Sequence, residues 1–398
     1  MSNSLILVLN CGSSSVKGAV LNHHTGEVLL SCLAEKLNLP DAYITFKYND
    51  EKEVQDLSHK PHHTGAIEAL MEALAAHNLD QRIGAVGHRV VHGGERFKES
   101  VIIDDAVLHD IEKCITLAPL HNPAHLLGIH AAQNVFHHIP HIAVFDTAFH
   151  QTIPEHAYTY ATPYELYEQY GLRRYGMHGT SYRYIAGEAA RILNRPEDNL
   201  SLVIAHLGNG ASISAVLDGK SRDTSMGLTP LEGLMMGTRC GDIDPGVFSF
   251  LHEQTGMDVN QINELFNKKS GLLGVSGVSN DYRMVEEAAQ TGNKRARLAL
   301  DIFAYRLAKY IAAMTVANGR LDALVFTGGI GENAKDMRAA VIGYLGFLGL
   351  QIDDHLNAEM RFGNSGIITS SQSPLAMVVA TNEELMIAQD SAHLAGLM

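Results

Sequence analysis

One pattern, an apolar run followed by a small-residue turn and a second apolar run, occurs twice in this chain, about half its length apart. Residues 6–21 read ILVLNCGSSSVKGAVL, and residues 202–217 read LVIAHLGNGASISAVL. When the two segments are aligned without a gap, Ala19 meets Ala215. Two apolar runs around a tight Gly/Ser/Asn turn are typical of a β-hairpin. The repeat therefore predicts a duplicated fold, with a hairpin loop from each half facing one cleft.

Both hairpin loops have the composition of an anion site. Small residues leave backbone N–H groups uncovered, and consecutive exposed N–H groups form a concavity that binds anions. Ser13, Ser14, Ser15 and Asn209 add polar side chains, and Lys17 adds a positive charge. A tight turn without a ligand is the alternative for either loop alone. Matching loops in both halves favour anion binding.

Length and composition exclude several classes of protein. A chain of 398 residues, with 46% hydrophobic and 19% charged residues, is long enough for two globular domains. A net charge of −14 argues against a nucleic-acid or anionic-membrane partner. No apolar run approaches the ~20 residues of a membrane span, and the SLILVL opening lacks the basic start of a signal peptide. The four cysteines show no paired spacing, and the 22 histidines are mostly expected on the surface rather than in metal sites. We therefore expect a cytoplasmic protein.

Strand and helix patterns alternate along the chain, which indicates an α/β protein with mixed sheets covered by helices. Strands are expected at about 5–9, 16–21, 83–87, 141–145, 201–205, 211–217, 322–327 and 376–380. Helices are expected at about 65–77, 104–114, 122–136, 181–193, 259–267, 293–318, 334–346 and 383–394. The loop-rich stretch 147–180 separates the halves. We expect domains at 1–147 and 148–382, with a final helix at about 383–398 packing back on the first.

Three polar residues stand beside glycines or strand ends. Arg89, in GHRVVHGG, offers a planar fork for a carboxylate or phosphate, although a surface ion pair is the alternative. Arg239, in MMGTRCGD, lies between glycines and resembles a charge clamp more than a packing residue. Asp146 follows the apolar run IAVF, where a carboxylate often holds Mg²⁺ or orients a nucleophile. A helix cap or turn residue is the alternative for Asp146.

Two further segments complete the set. His178 lies in the loop RRYGMHGTS, between glycines, where a core histidine is not expected. FTGGIGEN follows a strand and precedes a helix, which is a common phosphate site, although it lacks the Rossmann and Walker spacings. Hairpin loops, arginines, a strand-end aspartate and a Gly-rich helix start together favour phosphoryl transfer, which depends on positioning and on cancellation of charge.

The chain closely resembles the acetate kinase family, within the superfamily of acetate and sugar kinases, heat-shock chaperone ATPases and actin. The resemblance covers the whole chain, through the strings LVLNCGSSSVK, GHRVVHGGE, APLHNPAH, VFDTAFHQT, RRYGMHGTS, HLGNGAS, DTSMGLTPLEGLMMGTR, SGLLGVSG, FTGGIGENA and TNEEL. It implies a duplicated actin-like ATPase fold of two βββαβαβα domains, with ATP and Mg²⁺ in the cleft between them and Mn²⁺ as a substitute metal. It also implies a homodimer and the reaction ATP + acetate ⇌ ADP + acetyl phosphate.

The resemblance also implies roles for particular residues. Arg89 and Arg239 would flank the substrate carboxylate and the moving phosphoryl group, Asp146 would be the catalytic carboxylate, and His178 would stabilise the transition state. Asn10 and Glu383 would hold the metal. ATP would be bound by Lys17, His206, Leu207, Gly208, Asn209, Gly210, Asp281, Tyr282, Arg283, Gly329, Ile330, Gly331, Glu332 and Asn333. Besides Arg89, the substrate site would contain the apolar residues Val91, Leu120, Met177 and Pro230.

The chain departs from the family pattern at four positions. Tyr182 replaces the last histidine of the usual HGTSH, and Cys240 replaces the serine of the usual GTRSGD. Gly18 follows Lys17 where an aromatic residue is frequent, and Met177 stands where Phe or Ala is often seen. Because Met177 would line the acyl pocket, propionate or another short-chain acid stays open as the preferred substrate.

The expected chemistry needs no strong base. A small carboxylic acid has a pKa close to that of Glu, ~4.3, and is already ionised at pH 7, so the difficulty is repulsion between two anions. We therefore interpret Asp146 as an aligning, metal-linked group. Two other classes stay open: a nucleotide-driven binding protein, and a hydrolase of acyl phosphates or polyphosphate. Trapping of acyl phosphate with hydroxylamine distinguishes all three.

Overall fold

The computed structural model describes residues 5–119 and 121–398. It divides into two compact units, one formed by Met1–Phe149 with Asn382–Met398 and the other by His150–Thr381. The chain therefore leaves the first unit once and returns to it for its last residues.

The strands are numbered in chain order. Those of the first unit are β1 (Leu5–Cys11), β2 (Val16–Asn22), β3 (Val28–Glu35), β4 (Tyr43–Tyr48), β5 (Glu51–Asp56), β6 (Ile83–Val90), β7 (Val101–Ile102) and β8 (His141–Phe145). Those of the second unit are β9 (Ser201–Leu207), β10 (Ala211–Leu217), β11 (Lys220–Thr224), β12 (Ala323–Thr327), β13 (Gly366–Ile367) and β14 (Leu375–Val378).

The helices follow the same numbering. The first unit has α1 (His63–Ala76), α2 (Asp105–Lys113) and α3 (Asn122–Val135). The second unit has α4 (Glu155–Tyr158), α5 (Tyr164–Tyr170), α6 (Gly179–Leu193), α7 (Val247–Thr255), α8 (Val259–Lys268), α9 (Gly271–Ser276), α10 (Tyr282–Gln290), α11 (Lys294–Asn318), α12 (Gly328–Asn333), α13 (Lys335–Tyr344) and α14 (Asp354–Glu359). The chain ends with α15 (Glu383–Leu394), which belongs to the first unit. Short 3₁₀ helices lie at Asp80–Arg82, Cys114–Thr116, Ala148–Thr152, Glu197–Asn199 and Gly346–Leu348.

The sheet of the first unit is covered on both faces. Its strand order is β5-β4-β3-β2-β1-β6-β8-β7. Each pair from β1–β2 to β4–β5 is antiparallel, whereas β6 is parallel to both of its neighbours, β1 and β8. Side chains alternate across a strand, so Leu5, Leu7 and Leu9 join a core with α1 and α3, whereas Ile6 and Val8 join one with α15. Because both faces are buried, β1 reads as a continuous apolar run rather than an alternating one.

The sheet of the second unit repeats the same arrangement. Its order is β11-β10-β9-β12-β14-β13, with the β9–β10–β11 strands antiparallel and β9, β12 and β14 parallel. α11 precedes β12 as α1 precedes β6, and α13 precedes β14 as α3 precedes β8. This order agrees with the predicted βββαβαβα pattern in each half.

The last helix of each βββαβαβα repeat packs on the sheet of the other repeat, within the unit that contains that sheet. α6 is the long helix that follows β8, and it packs on β9. α15 follows β14, and it packs on β1, β6 and β8. Each unit therefore contains the final helix of the other repeat.

The two hairpins differ by one residue in their loops. β1 and β9 correspond without a gap, but the first loop contains residues 12–15 and the second only residues 208–210. Ala19 pairs with Val8, whereas Ala215 pairs with Val203, the residue equivalent to Leu7. The gapless alignment is therefore wrong beyond the loop, because a one-residue shift moves a side chain to the other face of the sheet.

Every expected strand and helix is present, but several elements were missed. The missed strands include β3, β4, β5 and β11, and the missed helices include α7, α9, α10 and α14. β5 is almost entirely exposed and reads EKEVQD, so it has no apolar alternation to detect. α7 is an apolar segment with no buried residue, and its sequence lacks a helical stripe. Among the described residues, no helix is both long and apolar enough to cross a membrane.

We predict that Gly87→Ala destabilises the protein by ~1–3 kcal/mol, the usual result of overpacking. A Cβ at this position would lie 2.7 Å from Ile387 Cγ2 and in contact with Ser391 Oγ, both on α15. Gly343→Ala is the control, since nothing lies within 4 Å of its Cβ and alanine favours its helix by up to ~1 kcal/mol. Urea unfolding of both variants checks the prediction. Equal stability of the two variants would show that α15 does not pack tightly against β6.

Candidate active site

Arg89 and Asp146 stand side by side at the carboxyl ends of two neighbouring parallel strands. β6 ends at Val90 and β8 at Phe145, and these two residues are register partners. The Asp146 N–H donates to the Val90 carbonyl at 2.9 Å, which fixes the residue that follows β8. The strand expected at about 83–87 extends to Val90, so Arg89 lies on β6 rather than in the loop after it.

The contact between Arg89 and Asp146 is a forked ion pair. Arg89 Nη2 donates to Asp146 Oδ2 at 2.6 Å, and Nε donates to Oδ2 at 3.1 Å and to Oδ1 at 3.3 Å. The Asp146 side chain is only 1% exposed and that of Arg89 is 23% exposed. The Asp146 charge raises the pKa of Arg89 above its usual range, so the guanidinium stays charged. The forked contact therefore holds the Asp146 side chain in one orientation.

Further charges surround this pair in the first unit. Lys17 Nζ lies 2.5 Å from Glu384 Oε1 at the start of α15. The neighbouring Glu383 carboxyl has a raised pKa, chiefly because it is buried and partly because Asp146 and Glu384 are negative. Arg89 and Lys17 oppose that rise. The cluster thus contains three carboxyl groups, those of Asp146, Glu383 and Glu384, and two cations, Arg89 and Lys17. A further cation would stabilise this arrangement.

The residues predicted to hold a metal suit Mg²⁺. They do not suit an ion whose ligands must all come from the protein. Residues 5–119 and 121–398 contain no group of three or more His, Cys, Asp or Glu able to hold a metal ion. Mg²⁺, however, usually takes one or two carboxylates, several waters and substrate phosphates. Glu383 offers a carboxylate and Asn10, near the end of β1 opposite Lys17, offers an amide oxygen. Both are oxygen ligands of the kind that Mg²⁺ prefers.

The loop after β6 is held by residues that the sequence analysis did not single out. Asn122 at the start of α3 donates to the His92 carbonyl at 2.9 Å, and the Gly93 N–H donates to Thr147 Oγ1 at 3.0 Å. Val91, predicted to contact the acetate methyl, is buried in this loop. Leu120, predicted for the same pocket, lies outside the described residues. Asn122 lies in the string APLHNPAH, one of those that carry the family resemblance, and this string could have identified it.

His178 is held in a polar cluster of the second unit. It has a left-handed backbone, with φ +61°, immediately before α6. Its Nδ1 lies 2.8 Å from Ser212 Oγ, and its ring stacks on His206 with centroids 4.4 Å apart. Tyr182, the departure from the HGTSH pattern, is fully buried and its Oη lies 2.5 Å from Ser212 Oγ. Tyr182 therefore reaches His178 through Ser212.

His206 belongs to the same cluster. Its Nδ1 lies 2.8 Å from Ser181 Oγ, which in turn lies 3.1 Å from Thr381 Oγ1. Ser212 and His206 are direct partners in the β9–β10 ladder. The second hairpin thus supplies a polar pair to this cluster. Ser212 was missed because nothing in its sequence distinguishes it from the other serines near the loop.

Arg239 lies in a loop, as expected, beside the second hairpin. Its Nη1 donates to the Pro230 carbonyl at 2.7 Å, and a Cβ on Gly210 would lie 3.2 Å from its Nη2. Burial lowers the pKa of Arg239 from its usual value. Among the described residues, no carboxylate lies within ion-pair distance of this guanidinium. Such a group is suited to an anionic ligand, because a bound anion would offset the cost of its partial burial.

The same loop is tied to the hairpin and to the residues before α10. The Gly237 N–H donates to the Asn209 carbonyl at 2.9 Å, and Asn280 Nδ2 donates to Asn209 Oδ1 at 3.0 Å. Cys240, in place of the usual serine, donates from Sγ to the Gly241 carbonyl at 3.1 Å. Burial raises the pKa of this thiol, so it stays protonated and acts as a hydroxyl-like donor.

Three predicted ATP-binding segments surround one cavity of the second unit. Its volume is about 530 Å³, within the range of small-ligand sites. Its walls combine the second hairpin loop, the start of α10, α12 and the chain after α14. The lining residues are Gly208, Asn209, Asn280, Asp281, Tyr282, Arg283, Glu286, Gly329, Ile330, Asn333, Ala334, Arg361 and Phe362.

The Gly-rich start of α12 is stabilised by its own glutamate. Glu332 Oε1 accepts from the Gly328 N–H at 3.0 Å and from the Thr381 N–H at 3.1 Å. Gly328 has φ +76°, and a Cβ there would lie 2.8 Å from the Leu207 carbonyl oxygen. Glycine is therefore required where α12 meets β9, and Glu332 fixes the position of the turn.

Some predicted ATP-binding residues lie away from the cavity wall. Leu207 and Gly331 are buried, Glu332 is bonded to the backbone, and His206 faces His178. Gly210 lies against Arg239 instead. Of the residues predicted for the acyl pocket, Met177 is buried with its carbonyl 2.9 Å from His150 Nε2, and Pro230 is half-buried.

Arg338 on α13 is a buried residue that the sequence analysis missed. Its side chain is fully buried and donates to the carbonyls of Gly331, Glu332, Asn357 and Met360 and to Asn357 Oδ1, at 2.7–3.0 Å. Burial lowers its pKa to about 10. It connects α12 to the end of α14, two walls of the cavity. No sequence signal distinguishes it from a surface arginine.

Comparison with known proteins agrees with this geometry. The model of the acetokinase family matches residues 5–389. "Acetate kinase 1" of Neisseria meningitidis serogroup A is 68% identical over 398 residues, which is all of both chains. The crystal structure of Porphyromonas gingivalis acetate kinase has a TM-score of 0.94 at 47% identity and covers 98% of this chain and 99% of its own. A propionate kinase from Francisella tularensis has a TM-score of 0.94 at 48% identity and covers 99% of this chain and 100% of its own.

These likenesses confirm the predicted fold class, a duplicated α/β fold of the actin-like ATPase type. They extend over the whole chain and include every motif on which the resemblance was based. The chain belongs to the acetokinase family.

Proposed function

We propose that this chain is an acetate kinase, which transfers the γ-phosphoryl group of ATP to acetate and gives acetyl phosphate and ADP, reversibly. The observation that carries the proposal is the full-length identity of 68% to a relative named acetate kinase. The ion pair of Arg89 with Asp146, and the cavity beside the second hairpin, supply the matching chemistry.

The reaction is a direct displacement. A carboxylate oxygen of acetate forms a bond to the γ-phosphorus as the bond from that phosphorus to the β–γ bridging oxygen breaks, and ADP leaves with the electron pair. Acetate is ionised at neutral pH, so no proton has to be removed. Asp146, held by Arg89 and buried, therefore acts as an orienting anion rather than as a base.

Charge cancellation is the main task of the site. Arg89 and Arg239 would bind the acetate carboxylate and the transferring phosphoryl oxygens, and Lys17 would contact ATP phosphates. His178, fixed by Ser212, would donate to the phosphoryl group. Asn10 and Glu383 would hold Mg²⁺, or Mn²⁺ in its place. The metal would shield phosphate charge when it is bound.

The nucleotide would lie in the 530 Å³ cavity. Gly208 and Asn209, the Asp281–Arg283 segment, and Gly329 with Ile330 and Asn333 would contact it. His206, Leu207, Gly210, Gly331 and Glu332 would shape the site from behind the cavity wall, because their side chains or backbones are occupied elsewhere.

Propionate is the second candidate substrate. A propionate kinase from Francisella tularensis is 48% identical and has the same fold. Val91, Leu120, Met177 and Pro230 would enclose the acyl group. Methionine is flexible and can move aside for one extra methylene. Acetate stays the first choice, since the relative at 68% identity is named for it.

We also propose a cytoplasmic homodimer with no nucleic-acid or membrane partner. All four cysteines are free thiols, and three are buried, which fits a reducing compartment. The dimer rests on the family resemblance.

We predict that purified protein forms acyl phosphate from ATP only when acetate and Mg²⁺ are both present. Propionate should be a weaker substrate and butyrate poor, since one methylene changes kcat/KM by roughly 10–200-fold. Trapping with hydroxylamine measures the product. ATP hydrolysis at equal rates with and without acetate, with no hydroxamate, would contradict the proposal. A higher kcat/KM for propionate would favour the second candidate.

We predict that Arg239→Ala lowers kcat by at least ~10², the usual loss for a group that stabilises transition-state charge. Arg239→Lys should recover only part of the rate, because it lacks the guanidinium fork. Arg295→Ala is the matched control, since Arg295 also donates to backbone carbonyls of the second unit, those of Gly274 and Val275. If both alanine variants retain the wild-type kcat, Arg239 has no part in the chemistry.

We predict that Tyr182→Phe lowers kcat about 5-fold without raising the KM for ATP, because it removes one hydrogen bond of ~1 kcal/mol that holds Ser212 against His178. Tyr175→Phe removes a similar buried bond, to the Gly171 carbonyl at 2.9 Å. Tyr175→Phe should lower the stability as much as Tyr182→Phe does, but it should leave kcat unchanged. Steady-state kinetics and thermal unfolding of both variants check this. An equal kcat loss in both would assign Tyr182 a purely structural role.

A further inference from the structure

Phe362 is an exposed aromatic residue in a strained backbone conformation. It follows α14, and 81% of its surface is exposed. Its φ is +55°, in the left-handed region, where a bulky side chain is an outlier and glycine is favoured. Exposure of an apolar ring and backbone strain both reduce stability. The position therefore requires an explanation other than folding.

Hydrogen bonds to neighbouring residues hold the backbone of Phe362 at the cavity wall. The Phe362 N–H donates to Asn333 Oδ1 at 3.0 Å, and Asn333 Nδ2 donates to the Gly329 carbonyl at 3.0 Å. Buried Arg338 joins the Met360 carbonyl to those of Gly331 and Glu332. The chain before Phe362 is thus tied to α12, the Gly-rich turn of the cavity.

The surroundings of the ring suit a flat, aromatic ligand. The Arg361 guanidinium carbon lies 4.7 Å from the centroid of the Phe362 ring. Ile330, Gly329 and Ala334 add apolar surface to the same cavity. A cavity of this size holds a nucleoside, and an aromatic face is a general platform for base stacking.

We propose that Phe362 is the residue on which the base of the bound nucleotide stacks. The inference rests on the proposed function in one respect, that the cavity binds ATP and ADP. The strained backbone and the bond to Asn333 place the ring, and Arg361 supports it beside the base. Stacking requires a base but makes no contact with phosphate, so the contribution of Phe362 is specific to the nucleoside part of the ligand.

The test uses three variants of the full-length protein. Phe362→Gly removes the ring and relieves the positive φ, Phe362→Ala removes the ring alone, and Phe362→Tyr keeps an aromatic face. Phe347→Ala is the matched control, because Phe347 is also an exposed phenylalanine of the second unit, 73% exposed, and it lines a different cavity. Calorimetric binding of ADP and of tripolyphosphate, which has no base, is measured for each, with the melting temperature.

We expect Phe362→Gly and Phe362→Ala to weaken ADP binding about 10-fold, as for loss of one stacked base. Tripolyphosphate affinity should stay at the wild-type value in both. Phe362→Tyr and Phe347→Ala should bind ADP as the wild type does. The melting temperature of Phe362→Gly should equal or exceed that of the wild type, so that weaker binding cannot be attributed to unfolding.

Wild-type ADP affinity in Phe362→Gly would overturn the inference, and so would equal losses for ADP and tripolyphosphate. Binding of ADP does not depend on the acyl acceptor. A wild-type protein that binds ADP but forms no hydroxamate would therefore disprove the proposed function without affecting the conclusion on Phe362. A wild-type protein that does not bind ADP would disprove both.

Discussion

The parallel pairing of β6 with β1 and β8, and of β12 with β9 and β14, determines where several of the candidate functional groups lie. Parallel strands end at the same edge of a sheet, so polar residues that follow them are brought together without any contact between distant loops. Asn10, Arg89 and Asp146 occupy this edge in the first sheet. In the second sheet, His206 is near the end of β9 and Gly328 follows β12. Apolar runs covered on both faces fix these ends rigidly.

Charge is balanced differently in the two units. In the first, Arg89 is already paired with Asp146, and its attraction for a substrate anion acts in competition with a buried carboxylate. In the second, Arg239 has a carbonyl partner but no carboxylate within ion-pair distance among the described residues, and burial lowers its pKa. We therefore expect an incoming anion to gain more from Arg239, and Arg89 chiefly to set the orientation of Asp146. The two arginines, which look alike in sequence, thus differ in their hydrogen-bond partners.

The sequence was sufficient to predict the elements that are apolar and periodic, but not those defined by tertiary contacts. The two hairpins, the parallel strands and α11 were predicted because their patterns reflect burial on both faces or along one stripe. β5 was missed because it has no buried face. Arg89, Asp146 and His178 were predicted as site residues from neighbouring glycines and strand ends. Ser212, Arg338 and Phe362 were not, because a serine that bridges two side chains, a buried arginine and a phenylalanine with positive φ have no local pattern. A one-residue difference between the hairpin loops was likewise invisible in a gapless alignment.

The exchange of final helices has a consequence for the order of folding during synthesis. Ile6, Val8 and Ala85 belong to a core that is closed by Ile387, Ala388 and Ala392 of α15. A nascent chain would present that face of the first sheet to solvent until α15 has left the ribosome. The N-terminal unit therefore cannot complete its core while the C-terminal unit, whose helices all precede residue 382, is free to fold first. We therefore expect the usual direction of domain folding, from the N-terminus onward, to be reversed in this protein.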